Sequence, residues 1–224
     1  MSFLQGMLSF AAASFMMFSV PLKTIAPQNN IDGTLFLVNK QWRISETYVP
    51  ETVISQVPGQ VRSLRADAAA ALEEMFAACK EETGVTLTSV SGYRSWSKQN
   101  RIYQRKLRSV KKDVAKAEEY VAPPGASEHH LALAMDIGQR NKKSLVDSFG
   151  LTKGGQWARE NCWRFGFILR YDEPWESVTG YKYEPWHFRY VGKEYAQQIY
   201  DAGVPFETWL ANHRTDTMKQ LLSE

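Results

Sequence analysis

Two histidines and two carboxylates are spaced in this chain as a hydrolytic metal site needs them. His129 and Asp136 stand seven residues apart within Ser127-Glu128-His129-His130-Leu131-Ala132-Leu133-Ala134-Met135-Asp136, and Glu184-Pro185-Trp186-His187 follows about fifty residues later. Two neutral imidazoles and one carboxylate make three zinc ligands with a fourth position open, and Glu184 is a spare carboxylate able to act as base. A site of that composition keeps residual positive charge, which draws the pKa of water there down towards about 7. An oxyanion formed during hydrolysis needs a further cation, and Arg94, just past a predicted strand, is the candidate.

Backbone geometry sets conditions on this reading. On one regular strand His129 and Asp136 would face opposite ways, because their separation is odd. Pro123-Pro124-Gly125 puts His129 in or near a loop, with Asp136 on the strand that follows, so an intervening turn can bring both to one ion. Glu184 and His187 would likewise diverge on a straight strand, and Pro185 interrupts it. Asp136, between Met135 and Ile137, is a carboxylate inside an apolar strand, which costs several kcal/mol unless it is paired or metal-bound.

The remaining candidates have plainer readings. His130 diverges from His129 as an adjacent side chain and is read as a bystander, and His213, in a polar C-terminal stretch, as surface. Cys79 falls on the apolar helical stripe with Leu72, Met75 and Phe76 and reads as a buried free thiol, with a disulfide to Cys162 the alternative. The Lys- and Arg-dense run from Arg101 to Lys116 reads as a solvated helix face.

The elements that must position the site follow from periodicity. Val61, Leu64, Ala68, Leu72, Met75, Phe76 and Cys79 recur at helical spacing until Gly84 closes the helix. Val85 to Val90 is a strand by alternation and β-branched content, and it delivers Ser91-Gly92-Tyr93-Arg94 to its end. A second helical region runs from about Ser97 to Tyr120. Short strands are predicted at Leu133 to Ile137, Phe167 to Leu169 and Trp186 to Val191, a helix at Trp157 to Trp163, and two helices after Gly192 and Pro205. Helices first and short antiparallel strands after them argue an α+β fold, a small antiparallel sheet carrying the metal site and flanked by helices.

With 224 residues, 44% hydrophobic and 23% charged, the chain is suited to one packed domain and excludes wholesale disorder. A net charge of +3 agrees with an anionic polymer or membrane surface and is too weak to argue nucleic-acid binding. Residues 1–22 carry no charged side chain and read as a signal peptide or membrane anchor, although a basic n-region is missing. Residues 23–34 read as a polar linker and 35–224 as the catalytic domain. The expectation is an exported protein at the periplasm or cell surface, with membrane attachment through the N-terminal segment as one route.

Taken in combination, these motifs resemble a known family. Ser127-x-His129-x(6)-Asp136 with Glu184-Pro185-Trp186-His187-Phe188-Arg189-Tyr190-Val191-Gly192 is similar to the zinc D-alanyl-D-alanine carboxypeptidases of the VanY type, in the wider lysostaphin, D-Ala-D-Ala peptidase and hedgehog group. Leu37-Val38-Asn39-Lys40, Ser91-Gly92-Tyr93-Arg94-Ser95 with Gln99, Gly166 to Tyr171 and Thr179-Gly180-Tyr181 extend the resemblance over roughly residues 35–200. It implies a Zn2+ cofactor held by His129, Asp136 and His187, with Glu184 as base and Arg94 as oxyanion stabiliser. Ser127 and Gln99 match positions expected to touch substrate, and Trp186 would pack beside the metal in a substrate-binding or a structural role. The implied substrate is a peptidoglycan stem peptide losing its terminal D-Ala. An endopeptidase of the same architecture and a non-catalytic zinc-stabilised binding domain are the alternatives. The family usually has Gly three residues after the first His ligand, where this chain has Ala132, a residue with less freedom at positive φ.

Overall fold

The structure, a computed structural model, describes residues 33–141 and 145–223. The predicted leader at 1–22 lies outside the described residues, as does all of the predicted linker except Gly33 and Thr34. Thr34 belongs to the folded body, its hydroxyl donating to Val191 O over 2.8 Å.

In chain order the elements are β1 (Val53–Ile54), β2 (Ser63–Leu64), α1 (Ala66–Thr83), β3 (Leu87–Ser91), α2 (Trp96–Ser109), α3 (Val114–Glu118), β4 (Ala134–Gln139), α4 (Lys153–Asn161), β5 (Phe167–Leu169), α5 (Glu176–Thr179), β6 (His187–Tyr190), α6 (Lys193–Ala202) and α7 (Phe206–Ser223). β1 and β2 form a small hairpin, and the main sheet is antiparallel with order β3-β4-β6-β5. This is the predicted α+β architecture.

The alternation of side chains across the strands divides the sheet into two faces. Met135 and Ile137 of β4, Phe188 of β6 and Phe167 and Leu169 of β5 join Leu72, Met75, Phe76 and Cys79 of α1 in the main core. Ile168 of β5 packs with Ala196, Ile199, Phe206, Trp209 and Leu210 from α6 and α7 in a second cluster. Gly84, in the left-handed conformation, ends α1 with its N–H donating to Lys80 O, as its position in the sequence predicts.

Several boundaries differ from expectation. The single helical region from Ser97 to Tyr120 is two helices, because Lys111 and Lys112 both take positive φ and Asp113 then caps α3 by accepting from Lys116 N. The helix expected at Trp157 begins earlier, at Lys153, with Thr152 as its cap. His213 is half-buried rather than on the surface, its ring stacked 4.7 Å from that of Trp209. Cys79 and Cys162 are both free and buried.

Candidate active site

The convergence of the predicted ligands has a simple cause. Asp136 and His187 are direct cross-strand partners in the β4–β6 register, so their side chains leave one face of the sheet side by side. His129 enters from a 3-10 turn, Glu128–Leu131, which immediately precedes β4. That turn reverses at Ala132, whose φ of 56° and ψ of 28° are left-handed. One turn thus does what a straight strand could not.

His129 Nε2 lies 3.2 Å and His187 Nδ1 3.0 Å from Asp136 Oδ1. One ligand atom from each of the three residues falls within 4.8 Å of the others, and all three side chains are buried. The second nitrogen of each imidazole is held. His129 Nδ1 faces the Gly92 carbonyl at 2.8 Å, where only an N–H can sit, so Nε2 presents its lone pair. His187 Nε2 donates to Glu128 Oε2 at 3.2 Å. Two imidazoles and a carboxylate, each imidazole oriented by an acceptor behind it, fit a zinc ion.

Electrostatics separate the two histidines. Burial and the neighbouring Arg94 lower His129 to about 4, keeping it neutral. Burial alone would lower His187 too, but hydrogen bonds to Asp136 and Glu128 raise it to about 9. Asp136 is held well below the usual carboxylate range, burial being outweighed by the Arg94 guanidinium and a hydrogen bond from His187.

Glu184 stands where Pro185 breaks the approach to β6. Its backbone N–H donates to Tyr171 O at 2.9 Å, and its own carbonyl accepts from His187 N at 3.1 Å. Its carboxyl is buried, and burial pushes its pKa up to about 8. Arg94 reaches the centre from the end of β3, past a bulge between Ser89 and Ser91. Its guanidinium donates to Asp136, to Ser91 Oγ at 2.9 Å and to Gln99 Oε1 at 3.2 Å, with Nη2 2.9 Å from His129 Nε2.

All eight predicted site residues line one cavity of about 740 Å³. Gln99 has its amide engaged within the protein, accepting from Arg94 and donating to Ala122 O at 2.8 Å. It lines the cavity while holding the Arg94 guanidinium. Ser127 and Trp186 face the same cavity. His130 is a bystander to the ligand set, but a buried one, with Nε2 2.9 Å from Tyr48 O.

Sequence reasoning missed the layer behind the ligands. Glu128 is fully buried, and its Oε1 accepts from Arg170 Nε at 2.9 Å and Arg189 Nη1 at 3.0 Å. Arg170 also makes a two-bond pair with Glu207 of α7, at 3.0 and 2.6 Å. Burial works against the charge of Glu128, yet the two guanidinium groups keep its carboxyl ionised far below the ordinary range. Tyr181, also in the cavity wall, has a buried hydroxyl with no hydrogen-bond partner among the described residues. The available signal for Glu128 was its place inside the motif, for Arg170 its place just past the apolar strand β5, and for Arg189 its place as a charged residue inside β6.

The family model described as VanY, D-alanyl-D-alanine carboxypeptidase, matches residues 61–193. The chain is 44% identical over 196 residues to YodJ of Bacillus subtilis (strain 168), covering 84% of this chain and 70% of that protein. Among solved structures it resembles the LdcB LD-carboxypeptidase with a TM-score of 0.78 and 42% identity, covering 84% of this chain and 90% of that one. It also resembles a vancomycin resistance D,D-pentapeptidase, a VanY variant in complex with Zn(II), with a TM-score of 0.68 and 35% identity over 79% of this chain and 98% of that one.

Proposed function

The chain belongs to the VanY family of D-alanyl-D-alanine carboxypeptidases, and we propose that its groove takes the D-Ala-D-Ala end of a peptidoglycan stem peptide and releases the last D-Ala. It is a zinc-dependent carboxypeptidase. One observation carries the residue assignment: three buried ligand atoms meet beside a buried carboxyl, Glu184, in the wall of a cavity that also holds Arg94.

His129, Asp136 and His187 would hold the zinc, which supplies Lewis acidity and a lowered pKa for water in the site. The chain's own groups do the rest. As water adds to the scissile carbonyl carbon, the Glu184 carboxylate takes its proton and returns it to the leaving amine when the C–N bond breaks. Negative charge gathering on the carbonyl oxygen is met by the Arg94 guanidinium, preset by Ser91 and Gln99. The Ser127 hydroxyl and the Trp186 ring, on the cavity wall, contact the substrate backbone and apolar side groups. The uncharged residues 1–22 support export to the periplasm or cell surface, with membrane attachment as one form of it.

The likeness to LdcB favours a second specificity, removal of D-Ala from a stem whose preceding residue is of L configuration. A pentapeptide ending in D-Ala-D-Ala and a tetrapeptide ending in an L-residue and D-Ala separate the two, with free D-Ala measured as product. The pentapeptide is expected to be cleaved faster. Glu184→Gln is expected to lose about a thousandfold in turnover while retaining zinc. Undiminished turnover in that variant overturns the mechanism, and cleavage inside the stem with no free D-Ala released makes the enzyme an endopeptidase.

A further inference from the structure

One wall of the groove carries charge that the reaction centre does not use. Between Trp96 and Lys112 there are seven basic residues and no acidic one. Three of the seven, Lys98, Arg105 and Lys106, line the cavity, with Ile102 between them. Arg105 and Lys106 follow Lys98 by seven and eight residues and Ile102 follows it by four, which puts all of them on one side of α2. None of the three forms an ion pair among the described residues, and Lys106 Nζ rests 4.9 Å from the ring centroid of Tyr120 on the adjoining wall. Glu118, two residues before Tyr120, accepts from the Tyr103 hydroxyl at 2.8 Å. Asp147 lines the same cavity. Unpaired cations along a groove bounded by protein draw an anionic ligand more strongly than the same charges on an open surface.

The length of the wall indicates which part of a ligand they meet. Gln99, near the start of α2, is bonded to Arg94 and so stands at the reaction centre. Lys106 lies seven residues further along, about 10 Å at a rise of about 1.5 Å per residue. An extended peptide covers that distance in about three residues. The cavity, about 740 Å³, has room for more than two alanines.

We propose that Lys98, Arg105 and Lys106 form a subsite for a carboxylate carried by the substrate about three residues before the scissile bond, so that the groove selects acidic stem peptides. The proposal rests on the carboxypeptidase reading of the site and adds the recognition of a side group to it.

The test uses two peptides ending in D-Ala-D-Ala that differ only in the third residue before the scissile bond, acidic in one and its amide in the other. The Arg105→Glu/Lys106→Glu double variant is expected to raise KM for the acidic peptide by about fivefold to tenfold, with a much smaller change for the amide. The difference should shrink in 0.5 M salt. Equal losses on both peptides, as would follow if these cations held the terminal carboxylate, overturn the proposal. So does an unchanged acidic peptide together with lost affinity for a glycerol phosphate polymer. Binding of both peptides to the Glu184→Ala protein, with and without the double change, reads the subsite without turnover. Preference for the acidic peptide there, with neither peptide cleaved by the wild-type enzyme, would keep the subsite and reject the carboxypeptidase reading. Cleavage of both without discrimination would do the reverse.

Discussion

Both ring nitrogens of His187 face carboxylates, Asp136 on the ligand side and Glu128 behind it. An imidazole so held cannot rotate out of the ligand plane, and its electron density is raised by the outer acceptor. Glu128 is therefore a positioning residue, acting on the metal through His187. Glu128→Gln removes the charge with little change in shape. The expected result is zinc affinity weaker by about 10- to 100-fold in a chelator competition. The same change leaves the buried guanidinium groups of Arg170 and Arg189 short of a counter-charge, for a stability loss of about 3 kcal/mol in urea unfolding. Unaltered zinc affinity would reduce Glu128 to a packing residue. Reading this role from sequence was out of reach because a glutamate beside a histidine ordinarily faces water. Its burial depends on Arg170 and Arg189, which are 42 and 61 residues away.

At the scale of elements, the site depends on one reversal and one register. The reversal is the 3-10 turn that ends at Ala132 in left-handed backbone, buried, where a β-carbon is crowded. Relief of about 1–2 kcal/mol of backbone strain in Ala132→Gly, against about 0.8 kcal/mol for one lost buried methyl, leaves a net gain of about 0.5 kcal/mol. The midpoint of thermal unfolding should rise by about 1–2 °C, and a fall would show the turn to be unstrained. The register, Asp136 opposite His187, was not legible, since strand pairing depends on contacts far apart in sequence. What was legible was local: the apolar stripe of α1, the glycine at its end and the alternation of the strands. The break at Lys111 and Lys112 escaped because two lysines carry no turn signal. A further consequence belongs to the 3-10 turn after α4. Its first residue, Cys162, is buried, and burial raises its thiol pKa from 9.0 to about 12. Between those values the unfolded chain has lost the proton that the folded chain keeps. Stability from this group is therefore full below pH 9 and declines as pH rises, by at most about 1.4 kcal/mol per unit. Urea midpoints at pH 8 and pH 10.5 should diverge more for the wild type than for Cys162→Ala, and parallel profiles would remove the thiol as the cause.

For the whole molecule, the question is how far the fold depends on its metal. The main core is built from α1 and the opposite face of the sheet, and the second cluster from β5, α6 and α7. Neither includes a ligand, whereas the ligand face has its own ionic ties, from His187 through Glu128 and Arg170 to Glu207 on α7. Among the described residues, then, two apolar clusters and a buried charge network persist independently of zinc. An ion that binds only the folded state still stabilises it, by about 2.7 kcal/mol at a hundred times its dissociation constant. For a chain of this size that corresponds to about 5–10 °C. Zinc-free protein prepared with chelator should therefore keep its far-UV circular dichroism at 25 °C and unfold cooperatively about 5–10 °C lower, recovering when zinc is restored. Loss of the far-UV signal on chelation would instead make the metal a structural element of the fold, as the zinc-stabilised binding-domain alternative requires. Retention of structure with loss of D-Ala release assigns the ion to chemistry.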